Sequence, residues 1–319
     1  MSDERWKKID VVFKLKSPLH AGYMPFKGSV VSPTRYYVPG RNFWGAITKK
    51  IAEYMYDNPN AKDYRDIGKL VMENFRFSYF YIFDGKTTYF PHYTEGGLKY
   101  GDKTKEINKS QFEHRFSGSR ISTAIDSNGA AKDESLHEIE FINKRFKDKS
   151  GRRDTKIVGC IWVKKDAWIG GMNVIVNDEG ILINSFNVIE ELILGGESKY
   201  GFGHVSLDSI NKVEFIIEVK GNEDKLKVEI EKDKPLLAHF KYHKNIKFKG
   251  EIELLSGRGY YNPEKLKTDN NTKASNKPGE IISQPEYYFS PGTVLMKMEN
   301  ITGILDWDGT IKMNLNEND

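Results

Sequence analysis

The chain has 319 residues, 38% of them apolar and 29% charged, which fits a soluble folded protein of about two domains and excludes a disordered one. No apolar run approaches the ~18 residues of a membrane helix, and the opening Met-Ser-Asp-Glu-Arg-Trp-Lys-Lys has no apolar leader core. A net charge of +4 neither requires nor excludes nucleic acid, and one cysteine, Cys160, predicts a reducing, cytoplasmic setting without disulfides or a cysteine-ligated metal.

Residues 7–16 alternate: Ile9, Val11, Phe13 and Leu15 share one side and Lys8, Asp10, Lys14 and Lys16 the other, which predicts a half-buried strand. Residues 17–40 hold Pro18, Gly22, Pro25, Gly28, Pro33 and Pro39-Gly40 and read as a long loop. Trp44, Ile47, Ile51, Tyr54 and Met55 then recur at helical spacing, ending at Asn58-Pro59-Asn60, and the aromatic run 75–83 predicts a second strand. Residues 84–157 carry turn signals and many charges, an insertion expected to hold hairpins and short helices because a structureless loop of that length is rare.

A strand is expected at 158–163. A short helix is expected at 187–194, with Asn187 as N-cap and Glu190 three residues on. A glycine-rich loop occupies 195–203, and a strand follows at 205–219. Strand, helix, strand, insertion, strand, helix, strand is the order of a ferredoxin-like, RRM-like βαββαβ fold. The predicted architecture is therefore α+β: a ferredoxin-like domain over 1–219 with a thumb-like insertion at 84–157, and a smaller β-rich unit over 220–319 with strands near 225–230, 236–255 and 293–298. Residues 262–284 read as a polar loop and the tail from 314 as frayed.

Four glycines and a lysine fall within residues 195–203: Gly195, Gly196, Lys199, Gly201 and Gly203. Glycine allows positive φ and close backbone approach, so loop amides can meet phosphate oxygens, with charge from Lys199 and stacking faces from Tyr200 and Phe202. The loop precedes a strand and lacks Gly-Lys-Ser/Thr, so it is neither a P-loop nor a dinucleotide fingerprint; a plain helix C-cap and turn is the competing reading. Residues 144–156 hold seven basic side chains, among them Lys144, Arg145, Arg152 and Arg153, against two acidic ones, a run suited to a phosphate backbone or to a solvated surface. Residues 86–103 interleave aromatics with lysines, as single-stranded nucleic-acid binders do and as strand edges also do. The seven histidines form no metal-binding pair, so no metal or other cofactor is expected; His20, in the loop after the first strand, is the one candidate general base. Residues 17–40 contain no Asp or Glu, and Cys160, inside a strand, is a poor nucleophile.

Four segments together resemble the RAMP superfamily of CRISPR effector subunits. Residues 17–22 (Ser-Pro-Leu-His-Ala-Gly) are similar to that family's turn after strand one. Residues 37–47 (Tyr-Val-Pro-Gly-Arg-Asn-Phe-Trp-Gly-Ala-Ile) are similar to its helix entry, with Arg41 and Asn42 in place of the usual small hydroxyl pair. Residues 122–140 resemble the thumb-like insertion of type III backbone subunits, and 194–203 the glycine-rich loop. The four cover about residues 8–210; 256–260 and 290–295 are faintly similar to the second half of two-domain members. The resemblance implies guide-RNA binding and packing beside sister subunits of a multisubunit complex. Arg41, Arg120, Lys132, Lys144, Arg145, Arg152, Arg153, Lys199, Tyr200 and the loop glycines would be the RNA contacts. Family members that cut target RNA carry an aspartate after strand one; residues 17–40 offer none, so a non-catalytic subunit is expected. The alternative implied is a metal-independent guide-processing endoribonuclease using His20.

Overall fold

The computed structural model of the chain describes residues 5–23, 29–131, 135–149, 151–215, 219–220, 225–255, 285–296 and 301–313. Lys132, the 256–260 segment, the 262–284 loop and the tail from 314 lie outside the described residues. The fold is mixed α+β, mostly strands, with three α-helices among the described residues.

The first strand, Trp6–Leu15, lies at the centre of an antiparallel sheet. From one edge to the other the order is Glu191–Ile193, His204–Ile210, Trp6–Leu15, Lys156–Lys164, Phe80–Phe83 and Tyr37–Val38, with Phe75–Phe77 also on Lys156–Lys164. The 75–83 run is thus two short strands, interrupted where the Ser78 amide donates to the Cys160 carbonyl at 3.0 Å. Ile9, Val11, Phe13 and Leu15 face the helices, as their alternation requires.

The opposite face is not solvated. Trp6, Val12, Tyr79, Tyr81 and Trp162 pack there against Phe215, Leu226, Phe240, Phe289 and Ile311. Strands after residue 219 form a second sheet, ordered Val219–Lys220, Lys227–Ile230, Ile301–Leu305, Ile311–Met313, Phe240–Lys241, Glu286–Phe289 and Ile252–Leu255. The expected half-buried first strand is therefore covered on both faces. Asp10 is desolvated beneath that cover, which raises its pKa despite its ion pair with Lys8 at 3.0 Å. Cys160 is fully buried, and burial pushes its thiol pKa far up, which makes it inert.

Helix α1 (Gly40–Met55) begins right after Pro39, as the sequence indicates, and buries Phe43, Ile47 and Ile51. Helix α2 (Ala61–Asn74) was not expected. Its signal is a capping box: the Asn60 side chain accepts from the Asp63 amide while the Asp63 carboxylate accepts from the Asn60 amide at 2.8 Å. The insertion holds the three-stranded sheet Phe90–Thr94, Gly97–Asp102 and Lys105–Asn108, then α3 (Lys109–Phe116), a ribbon of Ser117–Ser122 with His137–Ile142, and the hairpin Arg145–Asp148 with Gly151–Asp154.

Residues 187–194 form no helix. Phe186–Asn187 closes a four-stranded meander and Glu191–Ile193 pairs with the strand His204–Ile210. Val188, Ile189 and Ile193 are β-branched and an unpaired strand edge is available, so tertiary pairing overrides the helical spacing. The expected strand 205–219 stops at Ile210, before Asn211 at φ 52°. Residues 236–255 are broken into Phe240–Lys241, Lys247–Lys249 and Ile252–Leu255.

One buried polar chain links the two sheets. The Tyr79 hydroxyl donates to His239 Nδ1 at 2.7 Å, and His239 Nε2–H donates to Glu253 at 2.7 Å. The other Glu253 oxygen accepts from Arg35. Burial lowers the His239 pKa and keeps its ring neutral, outweighing the neighbouring carboxylate. Burial also opposes ionisation of Glu253, yet His239 and Arg35 hold its pKa at about 2. Both native values lie below the ordinary 6.5 and 4.5, so the unfolded chain takes up more protons than the native one in acid. Stability from this chain is complete above pH 6.5, starts to fall as His239 titrates in the unfolded state, and falls further from 4.5 toward 2. Melting temperatures at pH 7, 5.5 and 4 should decline in that order; a flat profile contradicts the assignment.

Candidate nucleic-acid interface

At the C-terminal end of the first strand the backbone is held from two sides. On one side the Lys16 amide donates to the His204 carbonyl at 2.8 Å and the Gly203 amide to Pro18 at 2.7 Å. On the other the Leu15 amide donates to Thr155 at 3.0 Å, and the Thr155 amide to Lys144 at 2.9 Å. The glycine loop, the 17–22 turn and the base of the 144–154 hairpin therefore meet at one end of the central sheet.

The glycine loop docks on the turn backbone to backbone. The Gly196 amide donates to the His20 carbonyl at 2.9 Å. Gly195, at φ +78°, would carry a Cβ 2.2 Å from the His20 oxygen; Gly203, at φ +83°, would carry one 2.0 Å from the Leu194 oxygen. Gly201 is also left-handed, at φ +81°, but its Cβ would meet open space. The amides of Gly196, Gly201 and Gly203 are already engaged by carbonyls of the chain, so they are not spare donors for phosphate. What the loop presents outward is Lys199 and Tyr200, the latter 67% exposed. Phe202, expected as a second stacking face, is instead buried edge-on against Phe141 of the ribbon, 5.3 Å between centroids.

Most of the basic run 144–156 forms the β-hairpin Arg145–Asp148 with Gly151–Asp154, in which Lys147 pairs directly with Arg152 across the ladder, while Lys156 begins the central-sheet strand Lys156–Lys164. Like charges opposite one another destabilise a hairpin, so folding does not explain this pair. Arg145 binds Asp154 at 3.0 Å, its hydrogen bond holding that carboxyl below the usual range, and Arg153 binds Asp148 at 3.3 Å. Lys144, Lys147, Lys149 and Arg152 are exposed and have no ion pair with a described residue. The hairpin is anchored by Phe146, buried 5.1 Å from Phe116 with the Arg115 guanidinium 4.7 Å above its ring.

Arg120 is exposed on the ribbon, opposite Ile139. The ribbon adjoins the same turn: Leu19 bridges Ile142, and His20 Nδ1 lies 2.7 Å from the Glu140 carbonyl. His20 is only 4% exposed, under the docked glycine loop. Arg41 stands elsewhere, in the first turn of α1 next to the opposite sheet edge, where a Cβ on Gly40 would lie 2.8 Å from the Asp308 oxygen. Burial, with the neighbouring Asp306 charge, raises the pKa of Asp308, and the Arg41 charge opposes that rise only in part. Sequence reasoning missed Arg35, a buried cation that donates to the Gly22 carbonyl as well as to Glu253. No local pattern marks it, because both partners are fixed only by the fold.

Among the described residues no group of three His, Cys, Asp or Glu is placed to hold a metal ion, and no helix is long and apolar enough to cross a membrane. No family model matches the chain, and no curated protein matches it. Among solved structures, it is similar to a chain in the cryo-EM structure of the Type III-B Cmr-beta bound to cognate target RNA, at 13% identity and TM-score 0.48 over 91% of this chain and 86% of that one. A second Cmr-beta structure, with target RNA and AMPPnP, is similar at 12% identity and TM-score 0.49 over the same shares. The crystal structure of a CRISPR protein from Archaeoglobus fulgidus is similar at 14% identity and TM-score 0.37, over 95% of this chain and 97% of that one.

Proposed function

We propose that this chain is a guide-RNA-binding and assembly subunit of a type III-like CRISPR effector complex, cytoplasmic and without cleavage activity of its own. The observation that carries the reading is the meeting of the docked glycine loop, the 17–22 turn and the basic hairpin at one sheet end. Lys144, Lys199 and Tyr200 are exposed there, and Lys147, Lys149 and Arg152 are exposed further out along the hairpin. Lysines beside an exposed aromatic ring attract a phosphate backbone and stack bases without reading their edges, which suits a protein that must accept any guide. The strand order of the central sheet (fourth, first, third, second of its principal strands) supports a ferredoxin-like core over 1–219, with a meander in place of its second helix and 220–319 as a second unit. Arg120 and the thumb-like insertion extend the RNA surface in this reading, toward the guide or a sister subunit. Nothing in the geometry favours His20 as a general base: its ring is buried and held by the Glu140 carbonyl.

The test is anisotropy of labelled single-stranded RNA over a salt series. Binding should show little sequence preference and weaken steeply with salt. Lys199→Ala should leave the melting temperature unchanged. It should weaken binding about fivefold near 0.1 M salt and flatten the salt slope by about 0.7, the value of one single-strand phosphate contact. Salt-independent binding, or none in the assembled complex, overturns the proposal.

A further inference from the structure

The 17–23 turn is fastened to the strand region after it. The Ala21 amide donates to Thr34 Oγ1 at 2.9 Å, the Arg35 amide to the Ala21 carbonyl at 2.7 Å, and the Tyr23 amide to Pro33 at 2.9 Å. The Arg35 side chain, 6% exposed, then reaches in two directions: one guanidinium nitrogen donates to the Gly22 carbonyl and the other to Glu253, with the Tyr23 ring 5.1 Å away. Glu253 belongs to the strand Ile252–Leu255 of the second sheet and is itself held by His239. A buried ion pair is a poor source of stability, since desolvation offsets its attraction, so its effect here is on geometry. The planar fork of arginine fixes both acceptors relative to one another, which a lysine cannot do.

We propose that Arg35 is a positioning residue for RNA binding: it ties the turn on which the glycine loop docks to Glu253 of the second sheet, so that the C-terminal strands set the RNA affinity of a surface they do not form. The proposal rests on the RNA-binding reading above. The path is short. Gly22 is two residues from His20, whose carbonyl receives Gly196, and four from Pro18, whose carbonyl receives Gly203. A turn freed at Gly22 lets the loop bearing Lys199 and Tyr200 shift as one piece.

The experiment uses the full chain, a labelled single-stranded RNA of fixed sequence, a salt series, and thermal melts of the same preparations. The double variant Arg35→Met with Glu253→Gln removes one charge of each sign, so the net charge and long-range field are unchanged. Glutamine keeps an acceptor for His239, and methionine fills the arginine volume. The expected result is a cooperative melt with RNA affinity lowered about tenfold well below the melting temperature, within the range of ordinary site-to-site coupling. The salt slope should equal that of the wild type, because no phosphate contact is lost. If the double variant does not melt cooperatively, Arg35→Lys, which keeps the charge and drops one arm of the fork, carries the same test with an expected loss of about threefold. Wild-type affinity in the folded variant overturns the proposal and leaves Arg35 a structural tie. A slope shallower by one contact also overturns it, since Arg35 would then touch phosphate directly. A wild-type protein that binds no RNA instead overturns the proposed function, and this inference with it.

Discussion

Gly203→Ala should cost the fold roughly 3 kcal/mol, against roughly 1 kcal/mol for Gly201→Ala, although both glycines are left-handed, at φ +83° and +81°. The conformational penalty is common to the two, and the difference is space. A Cβ at Gly201 meets nothing, whereas at Gly203 it lies 2.0 Å from the Leu194 carbonyl oxygen. That oxygen belongs to backbone and has no flexible end to swing aside. Relief requires Gly203 to move away from Leu194, which breaks the hydrogen bond from the Leu194 amide to the Gly203 carbonyl at 2.9 Å and pulls the Gly203 amide from the Pro18 carbonyl it meets at 2.7 Å. Gly195→Ala, with its Cβ 2.2 Å from the His20 oxygen, belongs with Gly203. Melting temperatures should therefore separate, lower by roughly 5 °C or more for Gly203→Ala and by roughly 2 °C for Gly201→Ala. Equal losses at the two positions would show that the loop is not docked as described.

Lys147→Ala with Arg152→Ala should weaken RNA binding about 25-fold near 0.1 M salt, since each single-strand phosphate contact carries a slope of about 0.7 and so about fivefold in affinity there. The same arithmetic reduces the gap to about threefold near 0.5 M salt. Folding should be unaffected or slightly improved, because the two cations face one another across the hairpin without an acidic neighbour in the ladder position. The hairpin is held by Phe146 and by the pairs Arg145–Asp154 and Arg153–Asp148, none of which these substitutions touch. Anisotropy titrations at the two salt concentrations measure both numbers. A double variant that binds as the wild type does at low salt would reduce the hairpin to a solvated surface.

Local chemistry carried the individual pieces a long way. The alternation of Ile9, Val11, Phe13 and Leu15 marks the face that meets the helices, and Pro39-Gly40 marks the start of α1. The turn signals in 84–157 correspond to hairpins and one short helix. Where local signals failed, a second meaning was present. Asn58-Pro59-Asn60 stops one helix and, through Asn60, caps the next. Asn187 resembles an N-cap, but its side chain donates to the Glu179 carbonyl at 2.8 Å within a strand meander. The helical spacing of 187–194 is a weak preference, and an open sheet edge beside β-branched residues outweighs it.

The sequence by itself determined the first strand, the start of α1, the basic run and the glycine-rich loop, because strand alternation, charge and glycine freedom are properties of a few adjacent residues. Tertiary structure alone decided what those elements face. It closed the outer side of the first strand with the second sheet, turned the loop amides inward onto Pro18 and His20, and buried His20 and Phe202. It also sent Arg41 to the opposite sheet edge and joined Arg35 to a carboxylate 218 positions away. Each of these depends on which distant backbone arrives beside a residue, and that is set by burial of the whole chain's apolar surface rather than by any local pattern.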